Sequence, residues 1–382
     1  RKKLIMNRFV RNLIWGCLTI VITGMAIPVL GQVFNPSDPI VVYNPGNPPT
    51  EPVFGQPGKW VKTNRLPWNT SSYKAYIYKG VPFRLKWPKN YDASGNTKYP
   101  LFLFFHGKGE RGSMYDNEYQ LFHGGELHKN AVDNEKFNGF LLYPQTDESN
   151  GSWGGEKRKF MKELIENFLI PQLYVDPFRI SVDGLSGGGL STWKFFESYP
   201  DLVAACLPIS SSGSTLNSII VNNKFTPIWL FQGGLDLNPS PISSQYLNNI
   251  AQNAGANFTY TEYPNQGHGC WYSAWGEPDY LPFLNRANKA NPWPLYGRTE
   301  FCNTGPGSVN TTIGVTAGFN EYQWRKNAVL LTGEGTTSNT LTVTDIGLYS
   351  CRIRKGTTWS EWSPIPVEIK YKTSTIPPTI KV

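Results

Sequence analysis

The chain holds little of what metal and redox chemistry need. Its 382 residues include only 5 cysteines and 4 histidines. The histidine-rich stretch His123-Gly124-Gly125-Glu126-Leu127-His128 lacks the order and spacing of a His-Glu-x-x-His zinc helix. No Gly-x-x-x-x-Gly-Lys-Ser/Thr phosphate loop occurs. No metal and no cofactor are therefore expected. Charge is also sparse, at 17% of residues. The formal net charge of +8 misleads, because five basic residues (Arg1, Lys2, Lys3, Arg8, Arg11) and no acid lie in 1–31, leaving +3 beyond them. With no basic cluster either, a nucleic-acid partner is excluded.

One long apolar run exists, from Leu13 to Leu30, and the basic residues precede it. That is the pattern of a secretory signal peptide. Cleavage is expected after Gly31 or Gln32. Pro28 and the polar interruptions favour a cleaved signal over an uncleaved anchor. The expected destination is outside the cytoplasm (secreted, periplasmic or cell-surface), without stable membrane insertion. Residues 32–58, rich in Pro, Asn, Gly and Ser, read as an extended linker with no core of its own.

The most telling stretch is Gly184-Leu185-Ser186-Gly187-Gly188, which fits Gly-x-Ser-x-Gly. In that motif a strained strand-to-helix turn lifts a serine out of a sheet. The flanks agree. Phe178, Ile180 and Val182 alternate with Arg179, Ser181 and Asp183, as in a strand, and Leu190–Glu197 reads as a helix. Chain order then selects the partners, since the acid and histidine follow the serine in this arrangement. His268 is the only histidine after Ser186. Of the acids between them, Glu197 and Asp201 lie too close to the serine, and Glu262 lies within a strand-like run. Asp236 follows the apolar strand Pro227–Phe231, where catalytic groups collect in open α/β sheets. The expected triad is Ser186 as nucleophile, His268 as base and acid, and Asp236 as the group that orients His268. An oxyanion needs two N–H donors. Gly187 supplies one, and Lys108, in the loop after the strand Leu101–Phe105, is expected to supply the other, with Gly109 as the alternative. His106 is expected to brace that loop.

His106-Gly-Lys-Gly-Glu-Arg-Gly112, Tyr143-Pro144-Gln145, Trp153, Gly184–Gly188 and Gly267-His268 together resemble the secreted esterases of carbohydrate esterase family one. That family includes feruloyl and acetylxylan esterases and polyhydroxybutyrate depolymerase-like enzymes. The resemblance spans about residues 60–290. It implies a serine ester hydrolase on an α/β-hydrolase fold, acting on polymer-attached or polyester-type esters. It implies substrate contacts for Gln145 and for Trp153, with loop packing as the alternative for Trp153. Glu110 and Arg111 are expected to hold their loop together. A serine peptidase of the same fold is the alternative function.

Strand-like and helix-like runs alternate over 59–292, implying a mostly parallel sheet with helices on both faces. A second domain is expected at 298–372. Cys302, Trp324, Tyr349 and Cys351 fall in the order of an immunoglobulin-like sandwich, with Cys302 and Cys351 bridging opposed sheets and Tyr349 forming a tyrosine corner. Such a bridge would contribute about 3–4 kcal/mol. The module is expected to be a spacer or a contact to cell surface or polysaccharide. Trp359-Ser-Glu-Trp362-Ser is expected to stack with Arg352 and Arg354. A bridge between Cys206 and Cys270 stays open, and 373–382 reads as a tail.

Overall fold

The computed structural model describes residues 33–148, 153–333 and 335–372. The expected signal peptide and tail lie outside them. Among the described residues no helix is long and apolar enough to cross a membrane.

Nine strands form the central sheet: β1 (Gly58–Lys59), β2 (Lys74–Tyr78), β3 (Val81–Lys86), β4 (Tyr99–Phe105), β5 (Phe140–Pro144), β6 (Val175–Leu185), β7 (Ala205–Ile209), β8 (Ile228–Gly233) and β9 (Phe258–Tyr263). Their order is β1-β2-β3-β5-β4-β6-β7-β8-β9. The first three are antiparallel to their neighbours, and all pairings from β5 through β9 are parallel. Helices α1 (Gly125–Asp133), α2 (Gly155–Leu164), α3 (Ile170–Leu173), α4 (Gly187–Ser198), α5 (Asn217–Asn222) and α6 (Pro241–Ala254) connect them, and α7 (Trp271–Trp275) and α8 (Tyr280–Arg286) follow β9.

Strand alternation builds two cores. In β4, Leu101, Leu103 and Phe105 face a core completed by Leu164, Trp193, Phe195 and Leu247 of α2, α4 and α6. Phe102 and Phe104 face the other, with Val132, Trp275 and Phe283 of α1, α7 and α8. Both faces are thus covered, as expected of an apolar parallel sheet. After β4 the chain adds β5 on one side and β6 on the other. The crevice beyond the carboxyl ends of β4 and β6 is therefore the topological switch point, where ligands bind in open α/β sheets.

The segment before β1 is extended, as its prolines demand, but it is not a detached linker. Phe34 is fully buried in the first core, edge-on to Tyr76 at 4.9 Å. Asp38 accepts from the Tyr76 hydroxyl (2.6 Å) and pairs with Lys59 (2.5 Å).

Two further sheets follow. The smaller joins β10 (Trp293–Pro294), β12 (Thr311–Gly314) and β15 (Thr340–Val343). The larger joins β11 (Glu300–Phe301), β13 (Glu321–Lys326), β14 (Val329–Leu330), β16 (Gly347–Lys355), β17 (Thr358–Trp359) and β18 (Val367–Tyr371). Ile313, Leu341 and Val343 of one share a core with Trp324, Cys351, Ile353 and Ile369 of the other. The smaller sheet begins at Trp293, ahead of the expected boundary at 298. The Tyr349 hydroxyl donates to Asp345 O at 2.9 Å, the turn contact expected of it.

The Cys302–Cys351 disulfide is not formed, and both thiols are free. The reason is strand parity. Phe301 is buried in the core with Cys351, so the next residue, Cys302, points to solvent. Moreover β11 belongs to the same sheet as β16, through β18, and not to the opposed one. Cys206 and Cys270 are also free and buried. Arg352 stacks between the tryptophans, 4.8 Å from the Trp359 ring and 4.9 Å from Trp362. Arg354 lies 5.9 Å from Trp359, and Arg325 lies 4.4 Å from Trp362.

These sheets dock on the larger unit. Lys355 pairs with Glu166 (2.9 Å) and Asp201 (2.8 Å). The buried Lys289 Nζ lies within hydrogen-bond distance of Pro200 O (2.7 Å), Val203 O (2.8 Å), Thr226 Oγ1 (3.1 Å) and Thr316 Oγ1 (2.6 Å).

Candidate active site

Ser186 is the cap between β6 and α4, at φ 55° and ψ −119°. A side chain other than glycine rarely adopts that conformation, and such strain concentrates at functional sites. The turn closes only because its neighbours lack side chains. A Cβ on Gly188 would lie 1.9 Å from Phe105 O, and one on Gly184 would lie 2.5 Å from Gly188 O. The Ser186 N–H is held by Ile209 O (2.9 Å).

The three side chains named from chain order meet at the rim of the sheet. Ser186 Oγ and His268 Nε2 are 2.8 Å apart, and His268 Nδ1 and Asp236 Oδ2 are 2.8 Å apart. Asp236 is an acceptor at that contact, which places the imidazole proton on Nδ1 and leaves Nε2 to accept from the serine. The Asp236 side chain is 2% exposed and the His268 side chain 40%, so the acid is sealed while the base faces solvent.

Asp236 is itself anchored. Gln232 Nε2 donates to Oδ2 (3.0 Å), and the Asn238 N–H donates to Oδ1 (2.9 Å). Ser244 Oγ fixes Gln232 by donating to its Oε1 (2.9 Å). Ser210 Oγ donates to His268 O (2.6 Å). Sequence reading missed Gln232, although a polar residue ending an apolar strand was a usable signal. Ser210 carried none.

Gly187 opens α4, so its N–H is among those a helix start leaves without an internal partner. Lys108 follows β4 in the neighbouring loop. That loop lies against the serine turn, since a Cβ on Gly107 would meet Leu185 Cδ1 at 2.6 Å. The Gly107 N–H is taken by Glu110 Oε2 (2.9 Å), and Arg111 Nε donates to Lys108 O (2.9 Å). Both side chains therefore hold the loop, as expected. His106 does too. It is fully buried, with Nδ1 2.7 Å from Gly107 O, and Nε2 accepts from the Thr146 N–H (3.2 Å). Burial lowers its pKa to about 4, so it is a neutral brace.

Trp153 and Gln145 do not line the site. Trp153 is fully buried, its indole N–H donating to His106 O (3.2 Å) and its ring edge-on to Phe105 at 5.0 Å. Gln145 is buried as well, Nε2 donating to Glu110 O (3.0 Å) and Gln120 Oε1 (3.1 Å), while Oε1 accepts from the Thr146 N–H (2.8 Å). Their polar atoms are consumed in loop packing. Trp271 instead lies edge-on to His268 at 6.1 Å between ring centres, and His123 lies tilted against Trp271 at 4.9 Å.

Beneath the turn lies a second carboxyl, Asp183, three residues before Ser186 and fully buried. Its Oδ2 accepts from Tyr280 (2.5 Å) and Trp275 (3.2 Å). Burial outweighs these bonds and raises its pKa to about 7. Among the described residues no group of three or more His, Cys, Asp or Glu could hold a metal ion. Clefts of about 580 and 690 Å³ lie where the C-terminal sheets meet the larger unit, and triad residues line neither.

The site thus sits on an α/β fold with a mostly parallel central sheet, an arrangement consistent with the α/β-hydrolase fold. No family model and no curated protein matches the chain. Some solved structures are similar to part of it. A thermostable esterase is 27% identical over 56% of this chain, with a TM-score of 0.48, and the match spans 62% of that protein's length. A mutant feruloyl esterase module from Clostridium thermocellum, complexed with sinapinate, is 17% identical over 61% of this chain and 96% of its own, with a TM-score of 0.43. A putative dipeptidyl aminopeptidase IV from Bacteroides ovatus is 16% identical over 53% of this chain and 32% of its own, with a TM-score of 0.40.

Proposed function

We propose that this chain is a serine hydrolase that cleaves carboxylic esters through an acyl-enzyme. The observation that carries the reading is the relay from Asp236 to His268 to Ser186, with both contacts at 2.8 Å. Neutral His268 takes the Ser186 proton at Nε2 as Oγ bonds to the ester carbonyl carbon. The carbonyl oxygen becomes an oxyanion, and the Gly187 and Lys108 N–H groups donate to it. Imidazolium is stabilised by Asp236 through Nδ1. The tetrahedral species collapses as the C–O bond to the alcohol breaks and His268 protonates the leaving alkoxide. Water then attacks the acyl-serine, giving its proton to His268. Collapse returns that proton to Ser186 and releases the acid. The strained cap and the helix start at Gly187 favour this geometry over a hydrogen-bonding serine of the core.

The solvent-facing histidine at an open sheet rim suits esters carried on large molecules. We assign the C-terminal sheets to an immunoglobulin-like module on the strength of the Trp324 core and the Tyr349 turn contact, and residues 1–31 to an export signal. The test is Ser186→Ala with p-nitrophenyl acetate. Loss of about 10⁵–10⁶-fold in kcat with an unchanged circular dichroism spectrum is expected. Retention of more than about a tenth of the activity would refute the assignment.

A further inference from the structure

His123 takes no part in the triad, yet it touches both walls of the site. It lies just before α1, in the stretch that fails the zinc pattern, and its side chain is only 15% exposed. On one side its Nε2 is 3.4 Å from Glu110 Oε1. The other oxygen of that carboxyl group accepts from the Gly107 N–H (2.9 Å), which holds the single turn Lys108–Glu110. On the other side its Nδ1 is 3.0 Å from the Tyr272 hydroxyl, and its ring tilts against Trp271. Trp271 and Tyr272 open α7, directly after the loop that carries His268. Phe122 packs edge-on against the same imidazole at 4.5 Å between centres.

These neighbours fix the tautomer. Burial lowers the His123 pKa to about 4, so the ring carries no charge at neutral pH. A carboxylate only accepts, so Nε2 holds the proton toward Glu110, and Nδ1 accepts from the Tyr272 O–H. Polar contacts thus run from Tyr272 through His123 and Glu110 to the Gly107 N–H, one residue before Lys108. Among the described residues no backbone hydrogen bond joins 107–112 to 264–275. The two segments meet through side chains, and His123 is the side chain that touches both.

We infer that His123 is a positioning residue that keeps the Lys108 N–H in register with His268, so that the oxyanion and the protonated base form at matched places. The inference rests on the ester-hydrolase reading. Loss of one oxyanion donor costs about 10²–10³ in kcat, and a misplacement of about 1 Å costs about 10². A tie that holds such a donor acts on the transition state and leaves ground-state binding alone.

The test is hydrolysis of p-nitrophenyl acetate by the full chain, with inhibition by trifluoroacetophenone, whose adduct with a serine hydroxyl is a tetrahedral oxyanion. His123→Ala should lower kcat about 10–100-fold and leave KM within about two-fold. Affinity for trifluoroacetophenone should fall by the same factor as kcat/KM. The midpoint of the pH–rate profile should stay where His268 puts it. His123→Gln, whose amide can still donate to Glu110, should recover kcat to within about three-fold of wild type. Tyr272→Phe, which removes one hydroxyl from a half-exposed ring, should cost about three-fold. A contact serving packing alone would lower the melting temperature without weakening the inhibitor. Unchanged kcat in His123→Ala, a loss confined to KM, a loss in kcat without the matching loss of inhibitor affinity, or a displaced pH midpoint would overturn the inference. If His123→Ala does not fold, Tyr272→Phe decides, and unimpaired kcat there overturns it. Wild-type protein that cleaves no ester would sink the hydrolase reading and this inference with it. Wild-type turnover beside an unimpaired His123→Ala would sink the inference alone.

Discussion

Lys289→Ala tests how tightly the C-terminal sheets belong to the rest. The amine is buried, with four oxygens within hydrogen-bond distance of its Nζ. Thr226 and Thr316 hydrogen-bond one another, so their hydroxyls keep a partner in the variant. The carbonyls of Pro200 and Val203 lose this donor. A buried polar group left unpaired costs about 1–3 kcal/mol. Two of them, together with the space left by four methylenes, give about 3–6 kcal/mol. Against a total stability of about 5–15 kcal/mol this is large. The melting temperature should fall by about 6–15 °C. Thermal unfolding followed by circular dichroism reads it. Turnover of soluble esters at 20 °C should hardly change, because Lys289 touches no triad residue. A fall of less than about 2 °C would refute the reasoning, since the pairing would then be worth no more than a surface contact.

Truncation after residue 292 should do more than Lys289→Ala, because it strips Phe178 and Ala290 of their shared core with Val315 and Phe319 and removes the Lys355 pairs. An insoluble or early-melting product is expected, and a fully active fragment with unchanged melting would count against it. Cys302→Ser should leave stability within about 0.5 kcal/mol in oxidising and reducing buffer alike, as for any exposed side chain. A loss only under oxidising conditions would reinstate the bridge. Burial lowers His106 to about 4, His123 to about 4 and His128 to about 3. The unfolded chain therefore binds protons below about pH 6.5 that the folded chain refuses, so these groups remove stability as pH falls from about 6.5 to 4. Urea titrations at pH 7 and 5 should show it, and equal midpoints would not fit. Asp183 acts with the opposite sign: raised to about 7, its contribution is full below about pH 4 and is lost as pH rises through 7. Asp183→Asn should then destabilise less at pH 8 than at pH 5, and a loss independent of pH would contradict this.

The three side chains that meet at the β6–α4 rim were legible because few residues competed for their places. A glycine-flanked serine between strand and helix, one following histidine and one acid past an apolar strand left little choice. Their supports were less visible. Gln232 and Ser210 act through partners distant in sequence, and Lys289 reads locally as a solvated loop lysine. Cysteine spacing around Cys302 and Cys351 matched a familiar pattern, yet a pattern does not reveal parity. One residue decides whether a strand side chain meets the core or the solvent, and here Phe301 took the inner position. Trp153 stayed open between pocket wall and loop packing because a loop tryptophan suits both, and its burial selects packing. The segment 33–58 seemed coreless because its anchors, Phe34 on Tyr76 and Phe83, Asp38 on Tyr76 and Tyr43 on Tyr115, are made by residues far along the chain.

The hydroxyl at the β6–α4 turn is the proposed attacking group. Mass spectrometry after treatment with an organophosphonate ester measures it most directly. One adduct per chain, mapped to the peptide containing Ser186, absent from Ser186→Ala and slow to form in His268→Ala, is the result this account requires. An adduct on another serine, or none while ester turnover continues, would contradict it.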